Sequence, residues 1–128
     1  MTNDEIREFI KQAIDENRVM LFMKGTPNQP SCGFSARTAG ALNALGVQYA
    51  ALDILPDPRI REELSGLSGW PTIPQLFIDG ELVGGCDIVT EMYETGELAE
   101  KLGVEMPEED IEEVPVQKGP IPLENRLD

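Results

Sequence analysis

Histidine is absent from this chain of 128 residues. Histidine is the usual general base beside a nucleophilic serine or cysteine, and it is the commonest zinc ligand. A Ser-His-Asp or Cys-His catalytic pair within one chain is therefore excluded. Any chemistry that the protein performs must draw on other groups.

Cysteine is scarce, since the chain has only Cys32 and Cys86. Two cysteines are too few for a disulfide scaffold and too few for a four-thiolate metal site. The hydrophobic content of 41% nevertheless supports a globular fold. The length is sufficient for one compact domain and too short for two.

Long hydrophobic runs are also missing, because no apolar stretch reaches the roughly 20 residues of a membrane-spanning helix. The N-terminal segment MTNDEIREFIKQAIDEN is acidic and amphipathic, and it resembles neither a secretory signal nor an Arg-rich transit peptide. We therefore expect a soluble, cytoplasmic protein with no membrane partner.

Positive charge is in short supply, because 24 acidic residues face 10 basic ones and the net charge is −14. Such a chain would be repelled by phosphate backbones and by anionic lipid, so a nucleic-acid partner is not expected. Residues 104–128 hold eight acids, two bases and four prolines. We predict one domain over residues 1–103 and a flexible acidic tail over 104–128. The apolar residues of the tail leave open the alternative that it docks on the domain as an extended segment.

Local signals predict the helices and strands. Thr2 and Glu5 can form a capping box before apolar residues at helical spacing, and Asp79-Gly80 is typical of a hairpin turn. Asp57 followed by Pro58 is typical of another helix start. The predicted order is a helix at 3–17, a strand at 18–24, a helix at 33–45, a strand at 47–54, a helix from 58 to 65 or 66, strands at 75–78 and 81–84, and helices at 87–94 and 97–102.

The order of these elements predicts an α/β fold. The first β-α-β unit implies a parallel pair of strands, and the hairpin adds antiparallel strands. We expect a mixed four-stranded sheet flanked by helices on both faces. In the helix at 33–45, the side chains expected to point inward are Phe34, Ala41, Leu42 and Leu45.

Cys32 lies in the segment PSCGFS, where an apolar strand pattern gives way to a helical one. A thiol with a pKa of about 8.5 is mostly protonated at neutral pH, but a helix N-terminus and a nearby cation lower that pKa. We expect both at Cys32, because it precedes the helix at 33–45 and because Lys24 ends the preceding strand. The alternative is a buried structural cysteine, which the flanking Pro, Gly and Ser residues disfavour.

Ser35 stands where a redox Cys-x-x-Cys motif has its second cysteine, so Cys32 cannot close a disulfide within this motif. A second sulfur must come from Cys86 or from another molecule. A lone cysteine after a glycine turn is more often a small packing residue, and glutathione is the better candidate. Lys24 and Arg61 could bind its carboxylates, although Arg61 could equally be a solvated helix charge.

Two further segments suit an anionic tripeptide such as glutathione. In WPTIP, a cis Ile73–Pro74 bond would turn the backbone of Ile73 outward to pair with an extended peptide, whereas an ordinary strand-initiating proline is the more frequent case. In GGCD, the glycines permit close approach, and the N–H groups of Cys86 and Asp87 at a helix start could bind a carboxylate. Asp87 could instead be the N-cap of that helix.

The segments MKGTPNQPSCGFS (23–35) and WPTIPQLFIDGELVGGCDI (70–88) resemble the two diagnostic blocks of the monothiol, CGFS-type glutaredoxins. The resemblance covers about residues 5–103, and it implies a thioredoxin-like fold with a cis Pro74. It also implies a glutathione site formed by Lys24, Arg61, Ile73, Cys86 and Asp87. Members of this family bind a [2Fe–2S] cluster between two subunits, with the motif cysteine, here Cys32, as a cluster ligand. They act as cluster carriers, often pair with BolA-type proteins, and are mostly feeble disulfide reductases.

The number of available sulfurs agrees with this resemblance. A [2Fe–2S] cluster takes four protein-side ligands, usually thiolates, whereas each chain offers one suitably placed cysteine. Two Cys32 side chains and two glutathiones supply four. We therefore expect a carrier that is a homodimer when loaded and that passes its cluster to client apo iron–sulfur proteins.

Two other functions stay open. One is a glutathione-dependent thiol-disulfide oxidoreductase in which Cys32 is the nucleophile and a second glutathione resolves the mixed disulfide. The other is a binding module in which the tail, or a surface beside Cys32, engages a protein partner.

Overall fold

The computed structural model describes residues 1–106 of the chain. Within this range the helices and strands are α1 (Asn3–Glu16), β1 (Val19–Met23), α2 (Gly33–Leu45), β2 (Ala50–Asp53), α3 (Pro58–Ser68), β3 (Gln75–Ile78), β4 (Glu81–Gly84), α4 (Cys86–Thr95) and α5 (Glu97–Leu102). The predicted order of elements is confirmed. Residues 107–128, which form most of the predicted tail, lie outside the described residues.

Helix boundaries follow local capping signals. The Thr2 hydroxyl accepts the N–H of Glu5 at 3.1 Å, and the Glu5 carboxylate accepts the N–H of Thr2 at 2.7 Å, so the predicted capping box is present. Gly46 ends α2 in the left-handed conformation, with φ of 72°. These signals lie within a few residues of the boundary that they set, which is why the sequence alone locates both ends.

Most predicted boundaries lie within one residue of the observed ones, but those of two elements differ by more. Helix α3 continues through Gly66 to Ser68, because Gly69 provides the left-handed cap and donates its N–H to Ser65 O at 2.8 Å. Strand β2 is shorter than the predicted 47–54, since only Ala50–Asp53 pair with β1.

The four strands form one mixed sheet in the order β2-β1-β3-β4. β1 and β2 are parallel, with Met20 opposite Ala50, whereas β3 runs antiparallel to both β1 and β4. The predicted sheet is confirmed. Because β1 and β2 are parallel, the loops that follow them leave the sheet at the same edge, and the candidate site forms there.

Helices cover both faces of the sheet. One apolar cluster joins α2, α4 and α5 to one face, and another joins α1 and α3 to the opposite face. β1 contributes alternate side chains to the two clusters and is buried along its whole length, as its continuous apolar run predicted. The largest fully buried side chains include Phe22, Ile10, Leu21, Leu42 and Leu64.

The first residues of the predicted tail contact the domain. Val104 and Met106 pack against the α2–α4–α5 cluster, and the Val104 N–H donates to Ala99 O at 2.9 Å. Packing therefore extends a few residues past Gly103. The alternative of a docked tail concerns residues that lie mostly outside the described part of the chain.

Phe34 does not point into the core. Ala41, Leu42 and Leu45 are buried as predicted, but Phe34 is 56% exposed. It lies in the first turn of α2, where its ring lines a surface groove instead of facing the sheet. Along residues 1–106, none of the helices has both the length and the apolar character that crossing a bilayer requires.

Candidate functional site

Cys32 is the N-cap residue of α2, as its position in the sequence predicted. Its Sγ accepts the backbone N–H of Ser35 at 3.4 Å and lies 3.4 Å from the Ser35 hydroxyl oxygen. The side chain is half-buried, and the thiol is free. The sulfur is thus reachable from solvent while the first turn of the helix directs N–H groups toward it.

Ser35 connects this sulfur to the preceding strand. The residue is fully buried, and its Oγ accepts the backbone N–H of Lys24 at 3.0 Å. A hydroxyl has one proton to donate in addition to its acceptor sites. Because Lys24 occupies an acceptor site, the Ser35 proton is available for an ionised Cys32 sulfur.

The pKa of Cys32 is lowered from its ordinary value. Partial burial of the sulfur raises the pKa, but hydrogen bonds from the Ser35 hydroxyl and from the N–H groups of Ser35 and Phe34 outweigh it. The positive charge of Lys24 lowers the pKa further. Cys32 therefore holds a larger thiolate fraction at neutral pH than a free cysteine does.

The loop between β1 and α2 is tightly folded. Gly25 has a φ of 85°, and a Cβ atom there would lie 2.5 Å from Gln29 O and 2.6 Å from Ser31 N. The Ser31 N–H donates to Lys24 O at 2.9 Å, which closes the loop at its base. The end of β1 and the start of α2 are held side by side in this way, so that Lys24 and the thiol are neighbours.

A groove of about 370 Å³ lies beside the thiol loop. Its lining consists of Phe34, Trp70, Thr72, Ile73, Pro74, Gly85, Cys86, Asp87 and Ile88. The structure thus brings three predicted site residues together, namely Ile73, Cys86 and Asp87. Lys24, Cys32 and Arg61 are not part of this lining in the described residues, although Phe34 connects the groove to the Cys32 turn.

Arg61 lies at the surface of α3, near the loop that forms one side of the groove. Its guanidinium Nη2 is 3.5 Å from the carbonyl oxygen of Pro71. The Ile73–Pro74 peptide bond in this loop is cis, as predicted. The fully buried side chain of Gln75 donates to the carbonyls of Trp70, at 3.0 Å, and Thr72, at 3.1 Å, and thereby fixes the shape of the loop.

Gly85 lets the start of α4 approach this loop. A Cβ atom at Gly85 would lie 3.0 Å from Trp70 Nε1 and 3.2 Å from Pro74 O, so a larger residue would push the two segments apart. Gly85 is also the N-cap of α4 and supplies no side-chain hydrogen bond. The alternative reading of Asp87 as the N-cap is therefore wrong, because Asp87 lies exposed within the first turn of the helix.

Cys86 is buried, with 7% of its surface exposed, and its Sγ lies 3.8 Å from Thr90 Oγ1. Its thiol is free. This environment agrees with the expectation of a packing residue. Cys86 also forms part of the groove wall, where its backbone N–H belongs to the first turn of α4.

Some basic side chains of residues 1–106 have no carboxylate within ion-pair distance. Arg7, Lys11, Arg18 and Arg59 each form an ion pair, whereas Lys24, Arg37, Arg61 and Lys101 do not. The positive charge of Lys24 acts on the Cys32 sulfur, and the Arg37 guanidinium lies 5.6 Å from the ring centroid of Phe34. The only charged residue that lines the groove in this part of the chain is Asp87. A small anionic ligand that reaches Lys24 would meet a cation that no carboxylate of residues 1–106 pairs with.

The described residues offer no ready-made metal site, because no three His, Cys, Asp or Glu side chains among them come together as metal ligands. Among residues 1–106, only Cys32 presents a partly exposed thiol, because Cys86 is buried. One such chain can contribute a single sulfur ligand to a metal centre, and the other ligands must come from elsewhere.

The sequence of this chain is similar to those of known proteins. The glutaredoxin family model matches residues 19–83. A probable monothiol glutaredoxin 2 from Rickettsia typhi (strain ATCC VR-144 / Wilmington) is 51% identical over 102 residues, which cover 80% of this chain and 92% of that protein. The chain belongs to the monothiol glutaredoxins. Glutaredoxin 4 from Escherichia coli (strain K12) is 58% identical to this glutaredoxin over 91 residues, or 71% of this chain and 79% of that protein.

Solved structures agree with this assignment. The solution structure of reduced poplar apo GrxS14 matches this glutaredoxin with a TM-score of 0.71 and 39% identity, over 80% of this chain and 95% of that one. The mixed sheet with helices on both faces is thus the thioredoxin-like fold of glutaredoxins, as the sequence resemblance implied. Glutaredoxins as a family use glutathione.

Three residues of this glutaredoxin carry contacts that the sequence did not reveal. Trp70 lies in the WPTIP segment that the sequence pattern singled out, and Gln75 follows it directly. Their contacts, from the Gln75 amide to Trp70 O and from Trp70 to Gly85, form only when the 70–74 loop is folded. Asp53 gave no signal in the sequence, because it lay within the predicted strand at 47–54 and matched no motif. The Asp53 carboxylate nevertheless reaches the loop that carries Cys32.

Proposed function

We propose that this monothiol glutaredoxin is a [2Fe–2S] cluster carrier, with the cluster held between two chains by Cys32 of each chain and by two glutathiones. The observation that carries this proposal is a partly exposed thiol of lowered pKa whose motif has Ser35 in place of a second cysteine. Such a thiol can ligate iron, and it cannot be oxidised to a disulfide within its own motif.

The ligand count of the cluster favours two chains and two glutathiones. A [2Fe–2S] cluster needs four ligands, and each chain contributes one from Cys32. Cys86 is a poor candidate for another ligand, because its side chain is buried among groove residues. Since the chain has no histidine, the remaining two ligands are best supplied by a diffusible thiol.

The groove and its surroundings are suited to glutathione. We assign its carboxylates to Lys24, Arg61 and the N–H groups of Cys86 and Asp87 at the start of α4, where Gly85 leaves the first turn without a side-chain cap. The Asp87 carboxylate is exposed at the same place and can accept hydrogen bonds from the glutathione ammonium group. The backbone of Ile73 then pairs with the extended peptide.

A cluster with two diffusible ligands is easier to release than one held by four protein cysteines. That property suits a carrier better than an electron-transfer centre. We propose client apo iron–sulfur proteins as the recipients of the cluster and a BolA-type protein as a further partner. The cytoplasmic location expected from the sequence stays a prediction.

Anaerobic reconstitution tests the ligand assignment. Wild-type protein incubated with iron, sulfide and glutathione should develop the visible absorption of a [2Fe–2S] cluster and elute as a dimer. Cys32→Ser should remain colourless and monomeric, whereas the matched control Cys86→Ser should still take up the cluster. A coloured Cys32→Ser dimer, or full cluster uptake without glutathione, would refute the assignment.

Glutathione-dependent thiol-disulfide exchange is the second candidate, and the lowered pKa of Cys32 favours it. The Cys32 thiolate attacks the glutathionyl sulfur of a mixed disulfide, the substrate thiolate leaves, and a Cys32–glutathione disulfide forms. A second glutathione thiolate attacks that disulfide, releases glutathione disulfide and restores the Cys32 thiolate. We expect this turnover to be slow. Rates as high as those of dithiol glutaredoxins, together with failure of cluster uptake, would make this the main function.

A further inference from the structure

We propose that Asp53 is a positioning residue for the Cys32 thiolate, because its carboxylate anchors the loop that joins β1 to α2. Asp53 lies on β2 and belongs to neither the groove nor the thiol motif. This role of Asp53 concerns the thiol itself, and it is the same for any cofactor or substrate that the thiol binds.

One oxygen of Asp53 ties two loops together. Asp53 Oδ1 accepts the N–H of Gly25 at 2.9 Å and the N–H of Leu55 at 3.0 Å. Gly25 begins the thiol loop, and Leu55 begins the connection from β2 to α3. The adjacent Ile54 N–H donates to Met23 O at 2.9 Å. Backbone hydrogen bonds therefore join β1 and β2 as far as Ile54, and the Asp53 carboxylate adds the next contact, to Gly25.

The Gly25 N–H depends on this contact. Gly25 is buried, and the acceptor of its N–H is Asp53 Oδ1, at 2.9 Å. A buried N–H without an acceptor carries a desolvation penalty, so loss of the carboxylate would favour a rearranged loop. Gly25 cannot be replaced by a more rigid residue, because a Cβ atom would collide with the backbone at Gln29 and Ser31.

Lys24 connects the Asp53–Gly25 hydrogen bond to the Cys32 sulfur. The Lys24 backbone donates its N–H to Ser35 Oγ at 3.0 Å and accepts the Ser31 N–H at 2.9 Å. Ser35 in turn contacts Cys32 Sγ at 3.4 Å through its hydroxyl. Movement of Gly25 would therefore displace the neighbouring Lys24 and, with it, two groups that stabilise the thiolate, namely the Ser35 hydroxyl and the Lys24 charge.

The role that we assign depends on the oxygen atom and not on the charge of the carboxylate. Asparagine keeps an Oδ1 that can accept both N–H groups, whereas alanine keeps none. If Asp53 acted through its negative charge, removal of that charge would make the Cys32 sulfur more reactive in both variants. A positioning role predicts instead that Asp53→Ala slows the reaction of Cys32 and that Asp53→Asn leaves it nearly unchanged.

The test is the rate of Cys32 alkylation by iodoacetamide at a single neutral pH, followed by peptide mass spectrometry in the full-length chain. We expect this rate to fall roughly three- to tenfold in Asp53→Ala, because the displaced Lys24 no longer holds the Ser35 hydroxyl against the sulfur and about one hydrogen bond is lost. Asp53→Asn should react within about twofold of the wild-type rate, because its oxygen can keep both hydrogen bonds. An unchanged rate in Asp53→Ala, or equal changes in both variants, would overturn the proposal.

Asp57→Ala is the matched control. Asp57 also accepts a backbone N–H through one oxygen, that of Arg59 at 3.0 Å, but it does so at the start of α3 and away from the thiol loop. Its replacement should leave the alkylation rate of Cys32 unchanged. A fall in rate as large as that of Asp53→Ala would mean that general destabilisation displaces the thiol, and the proposal would fail.

Amide hydrogen exchange keeps the proposal testable if Asp53→Ala does not fold. The Gly25 and Leu55 amides should be protected in wild type and in Asp53→Asn. Exchange of the Gly25 amide at the rate of an unstructured peptide in folded wild type would contradict the anchoring contact.

Discussion

The chemistry of this protein centres on a single sulfur and on the hydroxyl next to it. Ser35 replaces the cysteine that would trap Cys32 in a disulfide, and it also contributes to the environment of the thiolate. Its Oγ is fully buried, bonded to the Lys24 N–H at 3.0 Å and 3.4 Å from Cys32 Sγ. The same residue therefore removes a competing reaction and favours the ionised thiol.

Ser35→Ala should raise the pKa of Cys32, because the hydroxyl is among the groups that lower it. Loss of the hydrogen bond from this hydroxyl disfavours the charged sulfur, so the alkylation profile should move to higher pH. The pH profile of Cys32 alkylation measures this shift. Thr38→Val is the control, since Thr38 is equally buried on α2 and bonds to Phe34 O at 3.0 Å without touching the sulfur. A wild-type profile in Ser35→Ala would contradict the role of the hydroxyl.

Arg61→Gln should weaken glutathione binding by roughly three- to tenfold, since an exposed charge contact contributes about 1 kcal/mol. Isothermal titration with glutathione measures the change. Arg18→Gln is the control, because Arg18 is also an exposed arginine but pairs with Asp79 at 3.3 Å, next to the β3–β4 turn. If both variants bind glutathione like wild type, Arg61 is the solvated helix charge that the sequence left open.

At the scale of helices and strands, α1 and α3 are joined by a pair of charges as well as by apolar packing. The Arg7 guanidinium donates to Glu63 Oε1 through Nε and Nη2, both at 2.9 Å. The Glu63 side chain is only 10% exposed, whereas that of Arg7 is 47% exposed. Removal of Arg7 would leave a nearly buried carboxylate without its partner.

Arg7→Met should lower the free energy of unfolding by about 1–2 kcal/mol, because the partly exposed pair loses less than a fully buried one. Urea denaturation measures the difference. Lys11→Met, on the same helix, breaks the exposed pair with Glu8 at 3.6 Å and should change stability by less than about 0.5 kcal/mol. Equal effects of the two substitutions would show that the Glu63 contact adds nothing beyond a surface pair.

The sequence predicted the elements well wherever their signals are local. The Thr2–Glu5 capping box, the Gly46 cap and the Asp79-Gly80 turn involve residues that are close in the chain, and the structure confirms them. The end of α3 was predicted too early, because Gly66 reads as a stop signal although it lies inside the helix. Helix propensities alone do not reveal that Gly69, and not Gly66, adopts the left-handed conformation that ends the helix.

Contacts between distant segments were harder to predict. The periodicity of α2 placed Phe34 inward, but the first turn of this helix faces the groove formed with the 70–74 loop. The link from Asp53 to Gly25 depends on the parallel pairing of β1 and β2, which brings residues far apart in the chain to one edge. Motif spacing located the thiol, whereas the residues that position it required the folded structure.

At the scale of the whole molecule, a net charge of −14 opposes the association of two copies. The basic groups left without carboxylate partners in residues 1–106, such as Lys24 and Arg61, lie near the thiol and the groove. We therefore expect the protein without a cluster to be a monomer, and association to require the cluster and its ligands. Analytical ultracentrifugation at about 0.15 M salt, where surface charges are screened beyond roughly 8 Å, should show a single monomeric species. A stable dimer in the absence of iron would contradict this expectation.

Native mass spectrometry of anaerobically reconstituted protein tests the central claim most directly, because it counts every component of the assembly at once. The account predicts one species that contains two chains, one [2Fe–2S] cluster and two glutathiones. A cluster on a single chain, or a cluster-bearing dimer without glutathione, would contradict it.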